Sequence, residues 1–146
     1  MTIHDFLFRL LGITRTIQTW HGALLALDAA RRDKLAQYAD EIAATFARAA
    51  TAFAALDRLP TDKSARRDAM RELGRISGYL DDVLCVLEQA FDGRKLAGLK
   101  RRLGRLARPP PVGLSALAAS GPRLDTLLDA EGYFRALADG LRASVP

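Results

Sequence analysis

Cysteine, aromatic side chains and long apolar runs are all scarce in this chain of 146 residues. The single cysteine, Cys85, excludes an internal disulfide and favours a reducing compartment. The only histidines are His4 and His21, so neither a zinc site nor a Glu-x-x-His di-iron site can be assembled. We therefore expect the protein to hold no metal and no cofactor.

The apolar runs are also too short for a membrane protein. None approaches the roughly 18 residues that a membrane-spanning helix needs. The N-terminus lacks the order of a signal peptide, because His4, Asp5 and Arg9 interrupt its apolar positions. We expect a cytoplasmic protein without a transmembrane segment.

The composition predicts a helical protein. Strand-forming β-branched residues are few, and leucine and alanine supply most of the apolar content. Hydrophobic residues make up 49% of the chain and charged residues 27%, a balance typical of ordered globular proteins. The length suits one compact core and is too short for two ordinary domains. We predict a single all-α domain, an up-and-down helical bundle.

Apolar spacing and breaking residues divide the chain into four main helices. We expect Thr2 to cap the first helix and residues 20–22 to break the chain after it. The second helix begins at Ala23 or Asp28 and ends just before Pro60, because proline disfavours helical geometry at the preceding residue. Its apolar residues recur at alternating steps of four and three, which indicates the seam of a bundle.

The third helix matches the second in length and period. We expect Thr61 or Ser64 to cap it and Phe91 to end it, so that the two helices form an antiparallel hairpin. Gly74 and Gly78 lie one turn apart on this helix, where each is less favourable than alanine. We interpret them as space for a bulky side chain of a neighbouring helix.

Acidic residues are missing altogether from the fourth helix, residues 94–108. Residues 1–93 carry 12 Lys and Arg against 13 Asp and Glu, and residues 109–146 carry 3 against 4, so the net charge of +5 comes from this segment. Basic residues lie on one face of this segment and leucines on the other, which predicts an amphipathic helix. Its basic residues are Arg94, Lys95, Lys100, Arg101, Arg102, Arg105 and Arg108.

Three prolines, Pro109 to Pro111, follow the basic helix. Beyond them the pattern predicts one or two short helices that are split near Gly132 and pack on the bundle or on a partner. We therefore divide the single domain into a four-helix bundle, residues 1–108, and a C-terminal helical extension, residues 109–146.

The basic helix carries the functional prediction. Cations opposite a leucine stripe are typical of side chains that follow a phosphate backbone. The segment has no aromatic residue for base stacking, which favours backbone contacts over base readout. We predict a non-enzymatic accessory or interaction protein that binds an acidic partner, foremost the backbone of DNA or RNA, through its seven cations.

Other interpretations of the same features stay open. The basic helix suits an acidic protein, an anionic membrane surface or a merely solvated bundle face as well. The first helix is apolar over much of its circumference, which is typical of a homo-oligomer contact and favours an oligomerising scaffold or adaptor without nucleic acid.

Two short motifs resemble known families. Five residues separate Arg15 from His21, which resembles the Arg-x4–6-His motif of the all-helical HEPN ribonucleases. That resemblance implies an enzyme in which His21 is the acid or base and Arg15 stabilises charge on phosphate. Residues 20–22 are similar to the Trp-x-Gly turn of small secreted helical hairpins.

Residues 71–77 resemble a helix-turn-helix turn, but the heptad continues through them and predicts an unbroken helix.

Overall fold

The structure is a computed structural model, and it describes residues 3–88, 93–105 and 121–143. These ranges contain six helices and no strand, which confirms the prediction of an all-α bundle. The helices are α1 (Ile3–Gln18), α2 (His21–Leu25), α3 (Ala29–Arg58), α4 (Lys63–Glu88), α5 (Gly93–Gly104) and α6 (Gly121–Ala143). Within the described ranges, no helix is long and apolar enough to cross a membrane.

Local chemistry at both ends fixes the bounds of α3. At its start, the carboxylate of Asp28 accepts a hydrogen bond from the backbone N–H of Arg31 at 2.8 Å, which satisfies one of the free donors of the first turn. At its end, Leu59 is extended, with φ −142° and ψ 91°, as expected for the residue before Pro60. Of the two predicted starts, the one at Asp28 is correct.

The start of α4 differs from the sequence prediction. The carboxylate of Asp62 accepts a hydrogen bond from the backbone N–H of Ala65 at 3.1 Å, so the cap is Asp62 and not Thr61 or Ser64. The helix then continues without a break through residues 71–77, which confirms the continuous helix. Its predicted end at Phe91 lies outside the described residues.

Helix α3 is the centre of the protein and packs most extensively against α4 and α6. The rings of Phe46 on α3 and Phe134 on α6 are stacked, with centroids 5.8 Å apart, and both side chains are buried. We call α3, α4 and α6 the body of the molecule.

Helix α6 is a full member of this core. It runs unbroken through Gly132, so the predicted split there is wrong. Five of its side chains are buried on the face turned inward, and their burial outweighs the low helix propensity of one glycine. They are Leu127, Ala130, Phe134, Ala138 and Leu141.

Among the described residues, Gly74 and Gly78 have no bulky side chain beside them. A Cβ atom added at either position would meet no heavy atom of the described residues within 4 Å, apart from the local atoms of its own helix. The interpretation of these glycines as space for a neighbouring side chain is therefore wrong.

Helices α1 and α5 form a second layer beside the body. Leu10, Ile13 and Ile17 bury one side of α1, which packs on α5 and α6, while α5 packs on α4 and α1. A turn at Thr19 and Trp20 separates α1 from α2, where the sequence predicted a break. The predicted cap Thr2 lies outside the described residues. We call α1 and α5 the cationic layer.

Candidate anion-binding site

Helix α5 is oriented by its leucines. Leu96 and Leu99 are only 1% and 2% exposed, so they anchor the helix to the rest of the protein. The opposite side faces solvent, and its basic side chains are exposed, as the amphipathic pattern requires. The exposed cations are Arg94, Lys100, Arg101, Arg102 and Arg105. The side chain of Lys95 and the whole of Arg108 lie outside the described part of the structure.

Carboxylates neutralise part of this charge. Lys100 forms an ion pair with Glu88 of α4. Arg101, Arg102 and Arg105 form no ion pair with any described carboxylate. The guanidinium of Arg102 instead donates from Nη1 to the hydroxyl of Thr16 on α1, at 3.2 Å. Cationic groups thus remain available on α5 and at its contact with α1.

A cleft of about 220 Å³ lies between α1 and α5, and its lining residues are Arg9, Ile13, Arg102 and Arg105. Three of these four side chains end in guanidinium groups, and no acidic side chain among the described residues lines the cleft. The C-terminal end of α5 contributes only about half a negative charge from its helix dipole. The local charge is therefore positive. We call this feature the arginine cleft.

Two small residues of α1 hold Arg102 at the cleft. A Cβ atom at Gly12 would lie 3.0 Å from Nη2 of Arg102, closer than such contacts normally are, so glycine permits the approach. The hydroxyl of Thr16 donates to the backbone carbonyl of Gly12 at 2.9 Å and accepts from Arg102. Both hydrogen-bonding roles of the hydroxyl are thereby used, and the guanidinium is fixed against α1.

The sequence prediction included Arg102 and Arg105 but missed the contribution of α1. Arg9, Gly12 and Thr16 were not among the predicted site residues, because only the packing of α1 on α5 brings them to the cleft. The available signal was Gly12, a glycine inside an otherwise apolar helix with a threonine one turn later.

A second cleft, of about 190 Å³, lies between α1 and α6. Its lining includes Phe8 and Arg15, which are exposed, and Tyr133, which is half-buried. The Tyr133 hydroxyl is buried without a hydrogen-bond partner among the described residues, and this burial raises the pKa of Tyr133. Arg15, half of the ribonuclease-like pair, thus faces this cleft, while the side chain of His21 lies outside the description.

No group of three or more His, Cys, Asp or Glu side chains in the described ranges is placed to hold a metal ion. Comparisons with known proteins also give no family from which a function can be transferred. No protein-family model, no curated protein and no solved structure matches the chain. The function has to follow from the chemistry of the site itself.

Proposed function

We propose that this protein is a non-enzymatic accessory protein of the cytoplasm that binds the phosphate backbone of DNA or RNA through α5 and the adjoining face of α1. The observation that carries the proposal is the combination of a buried leucine face with exposed cations, of which Arg101, Arg102 and Arg105 form no ion pair with a described carboxylate. Leu96 and Leu99 hold the helix in place, and Arg101, Arg102 and Arg105 face outward or into the arginine cleft.

The expected mode of binding is electrostatic. Each phosphate neutralised by Lys or Arg releases condensed counterions, so affinity falls steeply as salt rises. The described residues that line the arginine cleft include no aromatic side chain on which a base can stack. We therefore expect contacts to phosphates and little preference for base sequence.

The test measures binding of fluorescent single-stranded and double-stranded oligonucleotides of mixed sequence over a series of salt concentrations. We expect tight binding at low salt. The plot of log affinity against log salt for duplex DNA should lose about one unit of slope for each phosphate contact removed, as in Arg101→Ala or Arg105→Ala. No binding at low salt, or binding that ignores salt, would overturn the proposal.

A matched control is an exposed arginine outside the cationic layer. Arg67 lies on α4, is exposed and forms no ion pair with a described residue. Arg67→Ala removes the same charge from the protein as Arg101→Ala. It should leave the salt slope unchanged if contacts to phosphate are confined to α5 and α1, whereas equal effects of both variants would indicate that only net charge matters.

The same preparation separates the alternative functions. A homo-oligomer in sedimentation that binds no nucleic acid would favour the scaffold or adaptor, and flotation with anionic vesicles alone would favour a membrane surface. Cleavage of the RNA that disappears in His21→Ala would favour the ribonuclease. Capture by an acidic protein in place of nucleic acid would also overturn the proposal.

A further inference from the structure

We infer that the arginine cleft is a defined seat for a single phosphate group, with Arg9, Arg102 and Arg105 as its ligands and with Gly12 and Thr16 as residues that position Arg102. The inference rests on the proposed function and makes it more specific. It names the chemical group that is bound and the residues of α1 and α5 that bind it or position its ligands.

Charge is the first argument. The cleft is lined by three guanidinium groups from two helices, and none of its described lining residues is a carboxylate. All three side chains are exposed and line one cleft, so an anion that lies between them is attracted by three positive charges at once. Guanidinium groups donate planar pairs of hydrogen bonds that match the oxygens of a phosphate.

Positioning is the second argument. The Arg102 guanidinium is held before any ligand arrives, because Thr16 accepts its hydrogen bond at 3.2 Å and Gly12 leaves space for Nη2. A side chain that is already ordered loses less conformational freedom on binding. Glycine inside a helix is less favourable than alanine, and the close approach of Arg102 gives a reason for glycine at this position.

Size and polarity are the third argument. A volume of about 220 Å³ compares with the roughly 30 Å³ that one water occupies in the liquid, so a hydrated phosphate group fits. Ile13 is the only apolar residue among the described residues of the lining, and these give a base or a lipid chain little to contact. The phosphate has two possible sources, a nucleic-acid backbone and free inorganic phosphate.

The experiment titrates the full chain with inorganic phosphate, followed by NMR of the arginine side-chain N–H signals, and in parallel with a labelled oligonucleotide. The variants are Arg102→Ala, Gly12→Ala and Thr16→Val, the last of which keeps the side-chain shape but removes the hydroxyl. Arg101→Ala and Gly98→Ala on α5 are the matched controls, since an added Cβ at Gly98 meets no described atom within 4 Å outside its own helix.

We expect Arg102→Ala to weaken phosphate and oligonucleotide binding about tenfold or more, because a charge-assisted hydrogen bond is lost. Gly12→Ala and Thr16→Val should weaken both several-fold, and Gly12→Ala should do so without lowering the melting temperature, since alanine favours the helix. Arg101→Ala should cost the oligonucleotide about twofold to fivefold, as a surface charge does, and leave inorganic phosphate unaffected. Gly98→Ala should change neither.

The outcomes separate the two proposals. Binding of inorganic phosphate that Gly12→Ala weakens, without any oligonucleotide binding, would support the seat and overturn the nucleic-acid function. Oligonucleotide binding that Arg101→Ala and Arg102→Ala weaken equally, with Gly12→Ala and Thr16→Val silent, would overturn the seat and leave the function standing. Absence of both kinds of binding would overturn both.

Discussion

The body and the cationic layer differ in how their arginines are paired. In the body, arginines meet carboxylates across helices. Arg48 of α3 lies 3.0 Å from Glu72 of α4, and Arg142 of α6 lies 2.7 Å from Asp40 of α3. In the cationic layer, three arginines of α1 and α5 line the same cleft. The two regions belong to the same bundle and share one hydrophobic core.

Under the proposed function, this difference marks the cationic layer as the binding region. Neutral pairs cost the folded state little, whereas gathered like charges destabilise it through repulsion. A folded chain therefore gains nothing by itself from bringing Arg9, Arg102 and Arg105 together. The proposed phosphate ligand would supply the missing negative charge.

The largest expected effect tests the packing of the body. Phe134→Ala removes a buried ring that stacks on Phe46, and we expect the free energy of unfolding to fall by about 3–5 kcal/mol. Leu128→Ala on the same helix, where the side chain is 52% exposed, should change it by less than about 0.5 kcal/mol. Chemical denaturation followed by circular dichroism measures both.

Arg102→Ala belongs in the same series. Its loss of stability should be close to that of Leu128→Ala, because the side chain is exposed and forms no ion pair with a described residue. A loss as large as that of Phe134→Ala would contradict the division of the molecule into a stabilising body and a binding layer.

An intermediate effect is expected at the buried carboxylate of the body. The side chain of Glu72 is only 9% exposed and lies 3.0 Å from Arg48 and 3.6 Å from Arg75. Glu72→Gln keeps the shape but removes the charge, and we expect the free energy of unfolding to fall by about 1–3 kcal/mol. Urea denaturation at neutral pH provides the measurement.

The control for this variant is Asp68→Asn, whose carboxylate pairs with Arg71 but is 51% exposed. Solvent screens such a pair, so its loss should change the free energy of unfolding by no more than about 0.5 kcal/mol. If Glu72→Gln proved as mild as Asp68→Asn, charge matching between helices would not be what distinguishes the body.

The smallest effect is a dependence on pH at the start of α3. The backbone hydrogen bond from Arg31, assisted by its guanidinium, lowers the pKa of Asp28 from the usual 3.8. Because the folded pKa is the lower one, the stabilisation is fully present above pH 3.8 and is lost as the pH falls through the folded pKa. Asp28→Ala should therefore lower the melting temperature at neutral pH, and the difference from the natural sequence should shrink in acid.

Asp28→Asn is the matched control, because asparagine keeps a capping oxygen but does not titrate. The melting temperature of Asp28→Asn should therefore not include the loss in acid that protonation of Asp28 causes in the natural sequence. A difference between Asp28→Ala and the natural sequence that stays constant below pH 3.8 would show that the charge of Asp28 does not contribute to the cap.

Local patterns in the sequence predicted much of the body. The apolar period and the breaker Pro60 give α3 its length, and the leucines of α5 give its orientation. Sequence reasoning failed at Gly132, because the burial of Phe134 and its neighbours is a tertiary effect that overrides a weak local propensity. It also failed at the cap of α4, where Asp62 stands between two other residues able to cap a helix.

The candidate site was only half predictable. Exposure of cations on α5 follows from the amphipathic spacing, so Arg101, Arg102 and Arg105 were identified from the sequence. Arg9 gives no local signal, since a single arginine on an apolar helix is ordinary. Its role depends on α1 lying beside α5, a contact between distant parts of the chain that no periodicity encodes.

The separation of Arg9 and Arg102 in the sequence has a consequence for folding during synthesis. Arg9 is synthesised before Arg102, and the α3–α4 hairpin lies between them. A nascent chain on the ribosome therefore has no cleft until α5 has emerged. The unfolded polypeptide lacks the cleft as well. A ligand seated there binds the native state alone and raises its melting temperature in proportion to the logarithm of ligand concentration, so that occupancy itself becomes a reporter of completed folding.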